Sequence, residues 1–411
     1  MSLKPIFRTI HGWNVLFQPK PSAQTVNIRA VVHAGSAHES DPRHYGVAHF
    51  LEHMFFKGTH QRSYSEINRQ FAQLGDVNAY TTLERTVFYL TTLPEKIDTA
   101  LELFLELFFD AKMPPEEFEK ERGVILEEFQ SSEDNPISWG VKKINWDTWG
   151  DSLHPTIGTR ESIESMQIDD LVAFKQRYYH PARTLFVITG DVDPSLLWSS
   201  LETHIRPANV QVADEKLYQP SVHFQTQPFQ LENPNSKQSL LFMVFPTVNE
   251  ATCRSLRFLP ELVVNLIGGG MHSILFESIR ERLGLCYAVG MQYMTPCSEG
   301  YHSVYALLDA ANVKTAYHAV LEEFSKLENG IDPELFETAK SNLLFGRSRS
   351  AETASGVGAQ ADGYFENGNQ LIAFDEYRAG IQSCTISEVQ QFIRTYLTQP
   401  KTAVVNAQLP V

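Results

Sequence analysis

Two pairs of segments in this 411-residue chain recur at a single spacing. Pro115-Glu116-Glu117-Phe118-Glu119 matches Pro333-Glu334-Leu335-Phe336-Glu337, and Ile163 through Tyr178 matches Ile381 through Tyr396. Both matches lie 218 residues apart, as the steps from Phe118 to Phe336 and from Ile163 to Ile381 show. Two independent matches at one offset mark an internal duplication. The chain therefore reads as two tandem homologous domains of ordinary size, residues 1–212 and 229–411. The stretch 213–228 between them is polar and proline-bearing and suits a linker. In each copy the longer repeated segment reads as an amphipathic helix that leads past a proline (Pro181, Pro400) into an apolar strand. Runs such as Val26–His33, Thr86–Leu93 and Leu240–Phe245 have strand character and alternate with long helices. The expected class is α+β, with helices packed on a largely antiparallel sheet in each domain.

Charge narrows the range of partners. Lysine and arginine total 34 against 49 aspartates and glutamates, a net charge of −15. Nucleic acids and anionic membrane surfaces call for a basic face, so neither is an expected partner. No apolar stretch approaches the roughly 18 residues of a membrane span, so no membrane insertion is expected. The first 21 residues read as strand, turn at Gly12 and strand, with no apolar signal core. The four cysteines (Cys253, Cys286, Cys297, Cys384) show neither CxxC nor metal-site spacing and read as reduced thiols. A cytoplasmic location follows from this reading, or a periplasmic one if a leader has been removed.

The segment Val47-Ala48-His49-Phe50-Leu51-Glu52-His53-Met54-Phe55-Phe56 carries the chemistry. It has the periodicity of a helix that is apolar nearly all round and should be buried. A buried charge needs compensation, and this helix holds three ionisable side chains. His49 and His53 are one turn apart on one face, so both imidazoles can reach one metal ion. Glu52 lies beside them, placed to take a proton from a water there. The order is His-x-x-Glu-His. A hydrolytic zinc site needs a third protein ligand and one open position. The helix from Pro115 to Gln130 offers candidates. At about 100° per residue, Phe118, Ile125 and Phe129 share a buried arc flanked by Leu126 and Val124. Glu121 and Glu128 fall inside that arc, and Glu127 faces the opposite way. The competing role for the two inward acids is pairing with an arginine such as Arg122 or Arg85.

With these residues the chain resembles the pitrilysin and mitochondrial processing peptidase family of zinc peptidases. That family has His-x-x-Glu-His, then 74 to 76 residues, then Glu; here residues 54 to 127 intervene before Glu128. Glu121-Arg122-Gly123-Val124-Ile125-Leu126-Glu127-Glu128 is similar to the family's second motif, and Phe56-Lys57-Gly58-Thr59 and Asn78-Ala79-Tyr80-Thr81 are similar to other family segments. The resemblance implies Zn2+ held by His49, His53 and Glu128, with Glu52 as the base and Glu121 as a supporting acid. It implies a metalloendopeptidase that hydrolyses bonds in unfolded peptides or presequences. The strand around Asn78 and Ala79 would present an edge to the substrate.

The second domain repeats the fold without the metal. Adding 218 carries His49, Glu52, His53 and Glu128 onto Ile267, Gly270, Met271 and Gly346. Its Gly268-Gly269-Gly270 lacks nucleotide-loop spacing and resembles the family's glycine-rich loop. Arg280 and Tyr287 match the family's Arg–Tyr pair, which implies binding of the substrate backbone and donation to the developing oxyanion. Taken alone they would be a surface arginine and a core tyrosine. One chain carries both the zinc motif and this pair, which favours a homodimer over a heterodimer with a related subunit. The alternative function is a non-catalytic structural or peptide-binding subunit. Such subunits usually lose zinc ligands, whereas this chain keeps the set. A hydrolase of small non-peptide substrates is a third reading.

Overall fold

Strands β1 (Ile6–Ile10), β2 (Trp13–Pro19), β3 (Val26–Val32), β4 (Gly75–Thr81), β5 (Thr86–Thr92) and β6 (Thr184–Gly190) form one sheet in the order β1-β2-β6-β3-β5-β4. All neighbours are antiparallel except β2 and β6. The structure is a computed structural model that describes residues 4–208, 225, 227–234, 236–249, 253–296 and 299–410. The expected linker lies outside the described residues except for Gln225, Gln227 and Pro228, and so does Cys297. Cys253, Cys286 and Cys384 are free thiols.

The helices of the first half are α1 (Val47–Met54), α2 (Tyr64–Leu74), α3 (Ile97–Asp110), α4 (Pro115–Asp134), α5 (Pro136–Trp149), α6 (Arg160–Ser165), α7 (Ile168–Tyr178) and α8 (Pro194–His204). A second sheet holds β7 (Phe229–Leu231), β8 (Ser239–Thr247), β9 (Cys286–Met294), β10 (Gly300–Leu308) and β11 (Lys401–Val405) in the order β7-β11-β8-β10-β9. With it come α9 (Leu259–Gly268), α10 (Val313–Asn329), α11 (Pro333–Ser350), α12 (Ala354–Gly358), α13 (Phe374–Ser383) and α14 (Ile386–Tyr396). The order of the second sheet is that of β2-β6-β3-β5-β4 in the first, so the duplication extends to topology. Helices α7 and α14 keep the 218-residue offset, as do the starts of α4 and α11. Between them the register drifts: α9 begins at Leu259, 212 residues after Val47 of α1. The residue-by-residue transfer onto Ile267, Gly270 and Met271 therefore does not hold in space, because the intervening loops differ in length. Glu128 still falls on Gly346, in a helix whose offset is intact. Among the described residues no helix is long and apolar enough to cross a membrane.

The two compact units are not the two contiguous halves. One comprises residues 1–129, 154–220 and 350–371, and the other comprises 130–153, 221–349 and 372–411. The reason lies in the central strands. β3 and β6 are buried at every position, so both faces need cover. On one face Ile28, Ala30, Phe186 and Ile188 pack with Phe50, Phe104 and other helical residues. On the other face Val31, Val87, Leu185 and Val187 meet Ala361 and Phe365 of the segment 350–371. The second unit does the same: Leu241, Met243 and Phe245 of β8 meet its own helices, whereas Leu240, Phe242 and Val244 meet Ile144 and Trp149 of α5. The helices of the borrowed segments start 218 residues apart, α5 at Pro136 and α12 at Ala354. Each carries a glycine where its helix approaches the sheet. A Cβ at Gly140 would sit 2.6 Å from Leu240 Cδ2, and one at Gly358 would sit 2.7 Å from Asn27 Oδ1.

Buried polar contacts fasten the segment 350–371. Asp362 accepts from Arg29 Nε and Nη2 at 2.9 and 2.5 Å and from Tyr80 Oη at 2.6 Å. Glu366 lies 2.7 Å from the Arg85 guanidinium. Removing one member of a buried ion pair leaves an uncompensated charge. Asp362→Ala should therefore destabilise the protein by about 3–5 kcal/mol, read as a lower urea midpoint. In the second unit His302 is fully buried, with Nε2 donating to Pro260 O at 3.0 Å. Burial lowers its pKa from 6.5 to about 4. Its contribution to stability is thus complete above pH 6.5 and declines as pH falls to 4, where the unfolded chain binds the extra proton. The wild type should lose about 3 kcal/mol more between pH 7 and pH 4 than His302→Gln does in urea titrations. Equal losses would contradict a neutral buried imidazole.

Candidate metal centre

Helix α1 is capped at its N-terminus by Gly46, whose φ of 91° places it in the left-handed region. A Cβ there would lie 2.5 Å from Ile157 O, so both conformation and space require glycine. Val47, Ala48, Phe50, Leu51 and Met54 are buried, as the apolar run predicts. Phe50 stacks on Phe118 of α4 with ring centroids 4.6 Å apart, which holds the two helices together. That contact turns His49 and His53 toward Glu128.

The imidazole centroids of His49 and His53 are 4.7 Å apart. Glu128 Oε2 lies 3.8 Å from His49 Nε2 and 3.6 Å from His53 Nε2. The ligand atoms of the three residues all lie within 4.8 Å of one another. Ligands held about 2.0–2.1 Å from a tetrahedral zinc stand about 3.3 Å apart, so this donor set fits the ion. The separations are too long for good hydrogen bonds. His53 Nδ1 donates to Glu121 Oε2 at 3.0 Å, leaving Nε2 for a metal; such carboxylate partners orient ligating histidines. Burial lowers the pKa of His53, but its bond to Glu121 and the nearby carboxylates of Glu128 and Glu52 outweigh it and bring the group up to about 9. Burial and the neighbouring His53 push His49 down to about 4. Glu128 is more open than the helical wheel implies, with its side chain 51% exposed. It stands at the outer side of the trio. Val124, placed at the edge of the buried arc, is exposed as well.

Glu121 is buried, as expected. Its partners are His53 and Lys57, whose Nζ lies 2.5 Å from Oε1, rather than an arginine. Arg122 instead caps the carbonyls of Glu164 and Met166, and Arg85 pairs with Glu366. Burial raises the Glu121 carboxyl, but hydrogen bonds from His53 and Lys57 prevail, and it titrates below its ordinary value. Glu52 is different: burial raises its pKa, against a 2.6 Å bond from Thr81 Oγ1 to Oε2. Lys57 and Thr81 had no assigned role at the level of sequence. Both sit in segments that carry the family likeness, which is the signal that could have found them.

Thr81 ends β4, the edge strand beside β5. Thr82 donates to Arg85 O across the hairpin. By alternation Val77, Ala79 and Thr81 turn their backbone groups to the free edge. Ala79 N–H is taken by Asn78 Oδ1 at 2.8 Å. Asn78 and Ala79 thus lie on the strand that also anchors Glu52. Arg280 and Tyr287 belong to the second unit. The Arg280 guanidinium lies 4.6 Å from the Phe276 ring centroid and 6.0 Å from that of Tyr287. Tyr287 is 74% exposed, not the core residue its bland reading predicts.

Residues 14–156 match the family model described as Insulinase (Peptidase family M16), and residues 165–343 match that described as Peptidase M16 inactive domain. The chain is 29% identical to a protein of Rickettsia felis named "Uncharacterized zinc protease", over 85% of each chain. It is 25% identical to the mitochondrial-processing peptidase subunit beta of Lentinula edodes, over 94% of this chain and 86% of that protein. The crystal structure of a protease from Helicobacter pylori superposes with a TM-score of 0.88 at 18% identity, covering 98% of this chain and 99% of that one, which shows a shared fold. With both family domains present in tandem, the chain belongs to the insulinase-type peptidase family M16.

Proposed function

We propose that this protein is a zinc-dependent endopeptidase that hydrolyses unfolded peptides or presequences. The observation that carries the reading is the convergence of His49, His53 and Glu128 on one point, with Glu52 beside the two histidines on α1. Zinc bound there supplies Lewis-acid polarisation of a carbonyl and lowers the pKa of water to about 7. Glu52 Oε2 is engaged by Thr81, so Oε1 is the oxygen that takes the proton of the attacking water and passes it to the leaving amine. Burial raises the pKa of Glu52, which makes its carboxylate a stronger base. Glu121 fixes the His53 ring and balances its charge, and Lys57 holds the other oxygen of Glu121.

The free edge of β4 suits an extended peptide added as a further strand, with Asn78 yielding the Ala79 N–H to the substrate. Folded proteins offer few such segments, so the substrate class is unfolded. Arg280 and Tyr287 are assigned to the substrate backbone and the oxyanion. A homodimer is the proposed assembly.

Glu52→Gln should retain bound zinc and lose about 10²–10⁴-fold in kcat on a quenched peptide library. Full activity in that variant would remove Glu52 as the base, and a zinc-loaded wild type that cleaves nothing in the library would sink the peptidase reading. Mixing Glu52→Gln chains with Arg280→Ala chains should restore activity if the site is shared between subunits. No recovery, with subunit exchange confirmed by mass spectrometry, would count against sharing.

A further inference from the structure

We propose that Glu39 is a positioning residue for the metal centre, holding the first turn of α1 and through it the placement of His49 and His53 against Glu128. The inference rests on the metal assignment above.

Helix α1 has only eight residues, so its placement depends strongly on its ends. The first N–H groups of any helix lack partners within the helix. Ordinarily a Ser, Thr, Asp or Asn side chain at the N-cap supplies an acceptor. That solution is closed here, because the N-cap must be glycine and makes no side-chain bond. Water is no substitute, since Val47 and Ala48 are buried. The acceptor comes from a residue seven positions upstream. Glu39 Oε2 accepts from Gly46 N at 2.7 Å, and Oε1 accepts from Ala48 N at 2.9 Å. Ala48 directly precedes the ligand His49.

The acid itself is held in place. Its side chain is 0% exposed, and His154 Nε2 lies 3.3 Å from Oε2. That imidazole also faces Ser36 O at 3.0 Å through Nε2 and Pro155 O at 3.1 Å through Nδ1. The same ring stacks on Tyr45, the residue before Gly46, at 3.6 Å between centroids. Glu39 grips the turn from one side and His154 from the other. The coupling of Glu39 to the ligands runs through the backbone of the first turn.

The test replaces Glu39 with glutamine. An amide nitrogen cannot accept a hydrogen bond, so one of the two backbone N–H groups loses its partner whether the native acid is ionised or protonated. Zinc affinity is measured by competition with a chromophoric chelator, and stability by thermal unfolding of the metal-free chain. Phe324→Leu, in the core of the other unit, serves as a control for destabilisation alone. Glu39→Gln should bind zinc about tenfold or more weakly than the wild type, as loss of supporting groups around metal ligands does, while Phe324→Leu should keep wild-type affinity. If Glu39→Gln does not accumulate folded, Glu39→Asp keeps the charge but is one methylene short, and is read by the same criterion. Wild-type affinity in a folded Glu39 variant overturns the positioning role alone. A wild-type chain that takes up no more zinc than His49→Ala overturns the metal assignment, and this inference with it.

Discussion

A short helix buried on most sides carries His49, Glu52 and His53, and much of the surrounding structure supplies what those groups need. Burying ionisable side chains is unfavourable unless each finds a partner. Glu121 answers His53 and is itself held by Lys57, Thr81 answers Glu52, and Glu39 answers the backbone of the first turn. His49 and Glu128 remain, facing each other and His53 at distances that suit a shared cation better than hydrogen bonds. The stacking of Phe50 on Phe118 joins α1 to α4, so apolar packing sets the distance at which the ligands meet. The polar constellation is therefore a consequence of the core around it.

The same logic governs the exchange of segments. Strands buried on both faces leave each sheet with a face that its own helices do not reach. In each half a stretch of about twenty residues crosses to cover the other half's sheet, with a glycine at the closest approach. In the first unit the crossing segment brings Asp362 to Tyr80, on the edge strand that ends at Thr81. The anchoring of the borrowed segment thus reaches the strand that holds Glu52.

Much of this was legible in the chain itself. The repeat gave two domains because Phe118 and Phe336, buried at matching points of α4 and α11, fill the same place in two cores. The inward placement of Glu121 was readable because helical periodicity is local. Glu128 was harder: the wheel put it on the apolar face, yet it lies at the outer side of the trio, half open, because the arc ends where α4 leaves the core. Val124, between buried Glu121 and Ile125, is exposed for another reason: it sits at the angular margin of the arc and turns to solvent. The ion pairs of Glu121, Arg122 and Arg85 were not readable, since each partner is chosen by long-range packing.

By itself the sequence determined the duplicated α+β fold and the His-x-x-Glu-His helix, because helix and strand periods and a repeated pattern are properties of neighbouring residues. It also placed Glu121 on the inner side of α4. Only the tertiary structure decided which half covers which sheet. It alone brought Glu39 and His154, more than a hundred residues apart, to one turn of a helix whose cap had to be glycine. Those outcomes depend on which surfaces meet when the chain packs, and nothing in the local pattern of Glu39 or His154 announces the meeting.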